Sequence, residues 1–412
     1  MKWTIFLLVA AQAQAQAPHD HAAMMQHNHA NGNAAGKFLM EQASGTSKNP
    51  KAWPMPMMAA KTGSWNWMFM GQTFLVATQQ SGPRGGDKFY APNWFMASAE
   101  RAVGKGSVMI QFMGSLDPLT VTDRRYPLLF QTGETAFGKP IVDGQHPHDL
   151  IMGFGIHYAR PLSKKTMFQL YFAPVGDPAL GPVAFPHRAS AMELPQATLG
   201  HHWQDSTHIA NEVITAGISH GMFRLEASGF HGAEPNENRW NIDYGAIDSW
   251  SSRFSVAPSK NWLAQVSVGR LKNPEPHEET DVIRSTASLH YTNGGWSSSF
   301  IWGRNHKTET HDVRNTNSYA LESVAPLGRK NWVTGRVESA DKDELQVGHG
   351  SSYRIGAYTA GYTRDVDLIR NVQTGIGANF TAYSLPQAIK PFYGDHPFGV
   401  NFFVRFRLRQ PQ

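Results

Sequence analysis

The stretch NVQTGIGANFTA, residues 371–382, alternates apolar and polar side chains along its length. Ile376 and Phe380 share one face with small or apolar neighbours, whereas Asn379 belongs to the opposite, polar face. Successive side chains of a β-strand point to opposite sides, so the stretch predicts a strand with one apolar face and one polar face. Residues 398–409 repeat this alternation at the end of the chain.

The same period-two pattern extends back to about residue 64 and predicts sixteen strands. They span 64–77, 91–101, 107–115, 150–159, 166–173, 209–219, 222–230, 246–257, 261–270, 282–292, 295–304, 317–325, 331–339, 353–363, 368–383 and 398–409. Short turns rich in Gly, Asn and Pro alternate with long connections, the longest over 116–149 and 174–208. This asymmetry is typical of an outer-membrane barrel, with turns in the periplasm and loops outside.

The predicted fold class is therefore all-β: a transmembrane antiparallel β-barrel of about 16 strands in the bacterial outer membrane, in contact with its lipid. Closure is required because an open sheet edge would leave backbone groups unpaired in hydrocarbon. A soluble β-sandwich or propeller is the alternative, but these folds seldom keep so regular a short–long alternation. The chain divides into a signal peptide (1–15), a His/Met-rich flexible periplasmic tail (16–62) and the barrel (63–412).

Composition excludes several function classes. The chain has no cysteine, which excludes disulfides and thiolate metal sites. Its net charge of +5 is spread without a continuous basic stripe, so we expect no nucleic-acid partner. We find no Gly-X-Ser-X-Gly elbow, phosphate loop or His-Glu-X-X-His motif, and predict that the protein is not an enzyme. A surface hydrolase stays an alternative, although Ser219 and His220 lie in a turn on the periplasmic side.

A barrel of this size is wide enough to hold an aqueous lumen, which the polar faces of the strands would line. The alternation along each strand predicts which residues line the pore: His157, Arg224, Glu226, Arg284, His290, Arg354, Arg405 and Arg407. The excess of arginine is typical of a water-filled pore with some preference for anions. The alternative is that these charges solvate a plugged lumen.

Histidine is concentrated in the predicted long loops, and neutral imidazole is a ligand for copper, zinc, iron and nickel. In His146-Pro147-His148 both imidazoles of an extended chain face one side, so they could share an ion. The candidate metal ligands in the loops are His146, His148, Asp149, His187, His201, His202 and His208. The alternative is structural: these histidines would hydrogen-bond the loops into a rigid lid.

The tail carries a second candidate metal site, formed by His19, His21, Met24, Met25, His27 and His29. Imidazole suits Cu(II) and thioether suits Cu(I), so the mixture indicates copper handling. A tail of this kind ahead of a barrel resembles the layout of the bacterial copper-resistance protein B family. The first long loop is similar in position to the constriction loop of general porins. A low-complexity tail with incidental histidines is the alternative.

These observations predict an outer-membrane channel that passes small solutes or ions and is linked to copper or another divalent transition metal. Metal ions and small solutes are its expected partners, and a homo-oligomer is expected by similarity to general porins. Two alternatives stay open. One is a non-conducting binding or structural barrel with a His-rich loop cap, and the other is an outer-membrane hydrolase.

Overall fold

A computed structural model describes residues 33–275, 280–308, 313–347 and 352–409. The predicted signal peptide and the tail's candidate ligands, from His19 to His29, lie outside these residues. Within the described part, no helix combines the length and apolarity needed to cross a membrane.

Strands dominate the described residues. They are β1 Met58–Thr62, β2 Trp65–Gln80, β3 Gly86–Tyr90, β4 Asn93–Val103, β5 Gly106–Gly114, β6 Tyr126–Ala136, β7 Lys139–Gln145, β8 Ile151–Pro161, β9 Thr166–Gly176, β10 Ala210–His220, β11 Phe223–His231, β12 Ser249–Val256, β13 Trp262–Leu271, β14 Val282–Asn293, β15 Trp296–Thr308, β16 Val313–Pro326, β17 Asn331–Lys342, β18 Tyr353–Asp365, β19 Val372–Ser384 and β20 Phe398–Leu408. The short α-helices are α1 Ala34–Met40, α2 Asp117–Thr120, α3 His201–Gln204 and α4 Lys390–Tyr393. Short 3₁₀ turns cover Thr122–Arg124, Phe185–His187, Ala189–Ala191, Ser206–His208 and Gln387–Ile389.

The sheet closes on itself. β2 pairs antiparallel with β4 on one side and with β20 on the other, so the last strand meets the first. β3 and β4 both pair with β2 and form one wall strand, interrupted at Pro92. β1 pairs with the first residues of β2, and β6 pairs with β7 in a separate hairpin. The wall is thus a closed barrel of sixteen antiparallel strands, which confirms the predicted fold class.

The two faces of the wall differ as the alternation predicts. Large apolar side chains such as Leu225, Phe300 and Phe402 are exposed on the outside of the barrel, where hydrocarbon solvates them. Polar side chains of the same strands, among them Asn379 and Arg405, point inward and are buried. This outward apolar band places the protein in the outer membrane.

The lumen is filled. Every residue from 175 to 211 is buried, which an external loop cannot achieve. This segment bonds to wall side chains from β11 to β20, among them Ser228, Ser267, Glu322, Glu338 and Arg405. The β6–β7 hairpin packs beside it, because Leu129 and Phe130 join an apolar cluster with residues of β17, β18 and β19. The long connections thus fold into the barrel.

The N-terminal side of the barrel also enters the lumen. Residues 33–62, which the sequence assigns to a flexible tail, are folded: α1 contacts β4, β5 and β8, and β1 pairs with β2. Leu39 is fully buried, and Arg253 donates a hydrogen bond to Thr46. The prediction of a flexible tail is therefore wrong from residue 33 onward, because apolar side chains there pack into a core. We call residues 33–57, 116–149 and 177–209 the plug.

Candidate metal centre in the plug

The predicted pore-lining side chains face the lumen with one exception. Several of them contact the plug, while Arg224, Glu226 and His290 border a cavity toward the turn side. Arg284 donates to Ser206 of the plug (2.8 Å) and to the wall residue Asn305 (3.0 Å). Arg405 and Arg407 both pair with Glu193 of the plug. The other inward-facing members of the predicted set are likewise buried: His157, Arg224, Glu226 and His290. These residues line a filled lumen, which corrects the expectation of a water-filled pore.

Arg354 is the exception, because its side chain is exposed on the outside of the barrel near the loop end of β18. There it forms an ion pair with Asp341, with 2.8 Å between Arg354 Nη2 and Asp341 Oδ2. The inward neighbour is Ile355, which is fully buried. The parity assigned to this strand from the sequence is therefore wrong by one residue.

The plug brings histidines from distant positions together. His146 and His148 follow β7 in extended chain, whereas His201 and His202 occupy the first turn of α3. The ring centroid of His201 lies 5.2 Å from that of His202, 6.1 Å from that of His146 and 5.5 Å from that of His208. His148 lies on the far side of His208, at 5.5 Å. Five imidazoles thus form one buried cluster.

Asp205 orients two of these rings. Its Oδ1 accepts from His201 Nδ1 at 2.7 Å, and its backbone oxygen accepts from His208 Nδ1 at 2.9 Å. Its Oδ2 accepts from Arg188 Nη1 at 2.7 Å. Since Nδ1 of each ring faces an acceptor, the proton sits on Nδ1, and the lone pair of Nε2 is free to bind a metal.

Asp117 plays the same part for His148. Its Oδ2 accepts from the backbone N of His148 at 3.1 Å and from Nδ1 at 3.0 Å, while Oδ1 accepts from Asn93. His146 Nδ1 lies 3.2 Å from its neighbour's carbonyl oxygen. Among the described residues, Nε2 of His148, His201 and His208 has no hydrogen-bond partner, whereas Nε2 of His146 lies 3.2 Å from Glu134 Oε1. For His148, His201 and His208, an acceptor at Nδ1 and an unpartnered Nε2 are the arrangement of metal-ligating histidines.

His146, His201 and His202 come closest to a ligand set, which we call the three-histidine set. One ring nitrogen from each lies within 4.8 Å of the others. All three residues are buried. Gly133 makes room for His202: a Cβ there would lie 2.2 Å from the imidazole, and the φ of +117° is one that a side chain would oppose.

Burial and neighbouring charges set the protonation of these rings. Burial holds the pKa of His146 and His208 well below the ordinary value, and adjacent cationic groups lower it further. Burial also lowers the pKa of His201, although Asp205 offsets part of the effect. These rings are therefore neutral near pH 7, the form that binds a metal. In His202 burial lowers the pKa, but carboxylates outweigh it and hold the pKa well above the ordinary value.

No family model matches the sequence, and no curated protein matches it either. Solved structures do match. The anion-selective porin from Comamonas acidovorans superposes with a TM-score of 0.55 at 12% identity, over 84% of this chain and 100% of that one. The barrel has the porin fold. Salmonella typhi OmpF in complex with daunomycin gives a TM-score of 0.53 at 8% identity, over 85% of this chain and 100% of that one. A loop-deletion variant of Vibrio cholerae OmpT gives 0.50 at 8% identity, over 84% and 100%.

These likenesses concern the porin fold alone. The layout resemblance to the copper-resistance protein B family has no support from them, and the tail's candidate ligands, from His19 to His29, lie outside the described residues. The hydrolase alternative gains nothing from Ser219 and His220. Both lie at the turn end of β10 in the porin-fold wall, where His220 Nδ1 lies 2.9 Å from Thr166 Oγ1.

Two predicted ligands take other places within the porin-fold barrel. Asp149 forms an ion pair with Arg239, with Nη1 and Oδ2 3.4 Å apart, and belongs to neither ligand set found among the described residues. His187 stacks edge-on against Trp94, with 4.2 Å between ring centroids. His146 and His148 contact different partners, so they do not form the shared pair that the His-Pro-His sequence indicates. The sequence predicts no role for Asp205, because no local pattern distinguishes it from the other carboxylates of the plug.

Proposed function

We propose that this porin-fold protein binds a divalent transition-metal ion inside its plugged lumen. The observation that carries the proposal is the convergence of three buried imidazoles, His146, His201 and His202, with one ring nitrogen from each within 4.8 Å of the others. Imidazole donors suit copper, zinc, nickel and iron, and the three rings would move toward one another to form metal–nitrogen bonds of about 2.0–2.1 Å. The proposal combines two predictions from the sequence: metal binding by the loop histidines, and the alternative of a non-conducting binding barrel.

Structural packing explains the cluster less well. A buried polar atom without a partner costs about 1–3 kcal/mol, so rings that only hold a lid together would be expected to satisfy Nε2 as well as Nδ1. Here Nδ1 of His201 and of His208 is bonded, whereas Nε2 of each is left free. A metal ion bound by the three-histidine set would satisfy the free nitrogen of His201, although not that of His208.

Replacing His201 tests the site. We expect the metal-stripped protein in detergent, with residues 18–29 deleted so that the tail binds nothing, to bind one Zn²⁺ or Cu²⁺ per chain, and His201→Ala in the same background to weaken binding at least about 100-fold. Losing a residue that only supports a metal ligand lowers metal affinity by about 10- to 100-fold, so losing a ligand itself should reach or exceed the upper end of that range. Elemental analysis after dialysis gives the stoichiometry, and calorimetry gives the affinity. His220→Ala is the matched control, since His220 is exposed on the turn side. Equal binding by wild type and His201→Ala would rule the site out.

Solute passage is the second candidate function, and the porin fold favours it. The first of the similar structures is described as an anion-selective porin. The filled lumen means that passage requires the plug to move or to be bypassed. The predicted homo-oligomer likewise stays a prediction, which the mass of the detergent-solubilised protein would test.

A further inference from the structure

A second ligand set adjoins the first and shares His202 with it. His202 Nδ1 lies 3.3 Å from Glu234 Oε2 and 3.2 Å from Glu275 Oε1. One ligand atom each from His202, Glu234 and Glu275 lies within 4.8 Å of the other two. Neither His202 nitrogen makes a well-directed hydrogen bond to any described residue. The His202 imidazole therefore lies between the two carboxylates, Glu234 and Glu275, and the two other imidazoles of the three-histidine set.

We propose that His202, Glu234 and Glu275 form a loading site, which takes a divalent metal ion from outside and passes it to the three-histidine set. This inference rests on the proposed function and adds a route of entry. It assigns the two carboxylates a role in the rate at which metal arrives, whereas His146 and His201 determine how tightly it is held.

The carboxylates are oriented for this role. Ser206 Oγ donates to Glu234 Oε1 at 2.7 Å, and the backbone N of Glu134 donates to Glu275 Oε2 at 3.0 Å. The protein thus holds one oxygen of each carboxylate, and the other oxygen of each faces His202. The two free oxygens and the ring nitrogen make a position that favours a cation.

Glu275 is the most exposed member of the two ligand sets. Glu234 and Glu275 lie in the connections β11–β12 and β13–β14, on the long-loop side of the barrel. The side chain of Glu275 is 13% exposed, whereas those of His146, His202, Glu234 and His201 are 7%, 6%, 3% and 1% exposed. An ion arriving from the loop side therefore meets Glu275 first.

The donor chemistry agrees with a transfer. Two carboxylate oxygens and one imidazole bind borderline divalent ions more loosely than three imidazoles bind copper or zinc, because imidazole is the better match for these metals. His202 can keep the ion while the carboxylates are exchanged for His146 and His201 one at a time. Nothing is oxidised or reduced in this step, and the ion only changes ligands.

The test separates loading from binding. Metal-free protein in detergent is mixed with Cu²⁺ in a stopped-flow instrument, and quenching of tryptophan fluorescence reports arrival in the plug, where Trp203 is buried beside His202. We expect Glu234→Gln/Glu275→Gln to slow the bimolecular loading rate at least about tenfold, within the range by which charge steering alters association. The metal bound at saturation should equal that of the wild type.

Glu237→Gln is the matched control, because Glu237 lies in the same β11–β12 connection but pairs with Arg124. It removes one negative charge from the same connection, away from His202, and should load at the wild-type rate. Wild-type loading by the double variant, or equal slowing by Glu237→Gln, would overturn the loading site and leave the three-histidine set intact. A wild-type protein that binds no Cu²⁺ would instead contradict the proposed function itself.

Discussion

Replacing residues 177–209 with a turn of about four residues should turn the closed barrel into an open pore with stepwise ionic currents in planar bilayers. Gly176 and Ala210 are register partners at the ends of β9 and β10, so a short hairpin turn can join them without moving either strand. Residues 33–57 and 116–149 of the plug stay in place, so we expect an aqueous channel to open where residues 177–209 now contact β11 to β20 of the sixteen-stranded wall. Wild-type protein should conduct far less under the same voltage.

The wall should tolerate this deletion. Glu322 would lose Arg188 but keep Arg336, whose Nε lies 3.0 Å away, and water would solvate the inward charges that the plug now covers. Circular dichroism and heat-dependent migration would establish that the variant has a folded barrel. The same turn in place of residues 162–165, which are exposed on the periplasmic side, should leave the currents unchanged. A folded deletion variant with wild-type currents would show that residues 177–209 do not close the lumen.

The wall of this protein could be predicted from the sequence because its physical cause is local. The alternation in residues 371–382 and the short turns between strands determine which side chains meet lipid, and the structure confirms sixteen strands. Arg354 shows the limit of this reasoning. The inward and outward faces of a strand are assigned from one starting residue. An error of one position in that choice moves every side chain to the other face.

The plug could not be predicted in the same way. Residues 175–211 have the Gly, Pro and His content of an exposed loop, yet all are buried. Their partners, such as Glu322 and Arg405, come from strands more than a hundred residues away. The clustering of histidine did indicate where candidate ligands lie. It could not identify Asp205 or Glu234, whose roles arise only when distant connections meet inside the barrel.

Arg188→Met should loosen the plug by about 3–5 kcal/mol, the typical cost of breaking a buried ion pair by removing one partner. Arg188 is fully buried, with Nε 2.5 Å from Glu322 and Nη1 2.7 Å from Asp205. Nη1 also donates to the carbonyl oxygen of Val183 at 2.9 Å. Removing the guanidinium leaves Asp205 without its cation, and Asp205 is the residue that orients His201 and His208.

Hydrogen–deuterium exchange of residues 183–208 measures this loss. A decrease of 3 kcal/mol in the free energy of local opening corresponds to exchange faster by about 100-fold or more. Arg354→Met is the matched control, since Arg354 is exposed and its pair with Asp341 is of a kind worth about 1 kcal/mol or less. Exchange in the plug should stay at the wild-type rate in the control. If Arg188→Met exchanged no faster than Arg354→Met, the buried pair would not be what holds the plug, and the orientation of the histidine cluster would have to depend on the wall contacts of Leu199 and Glu193 instead.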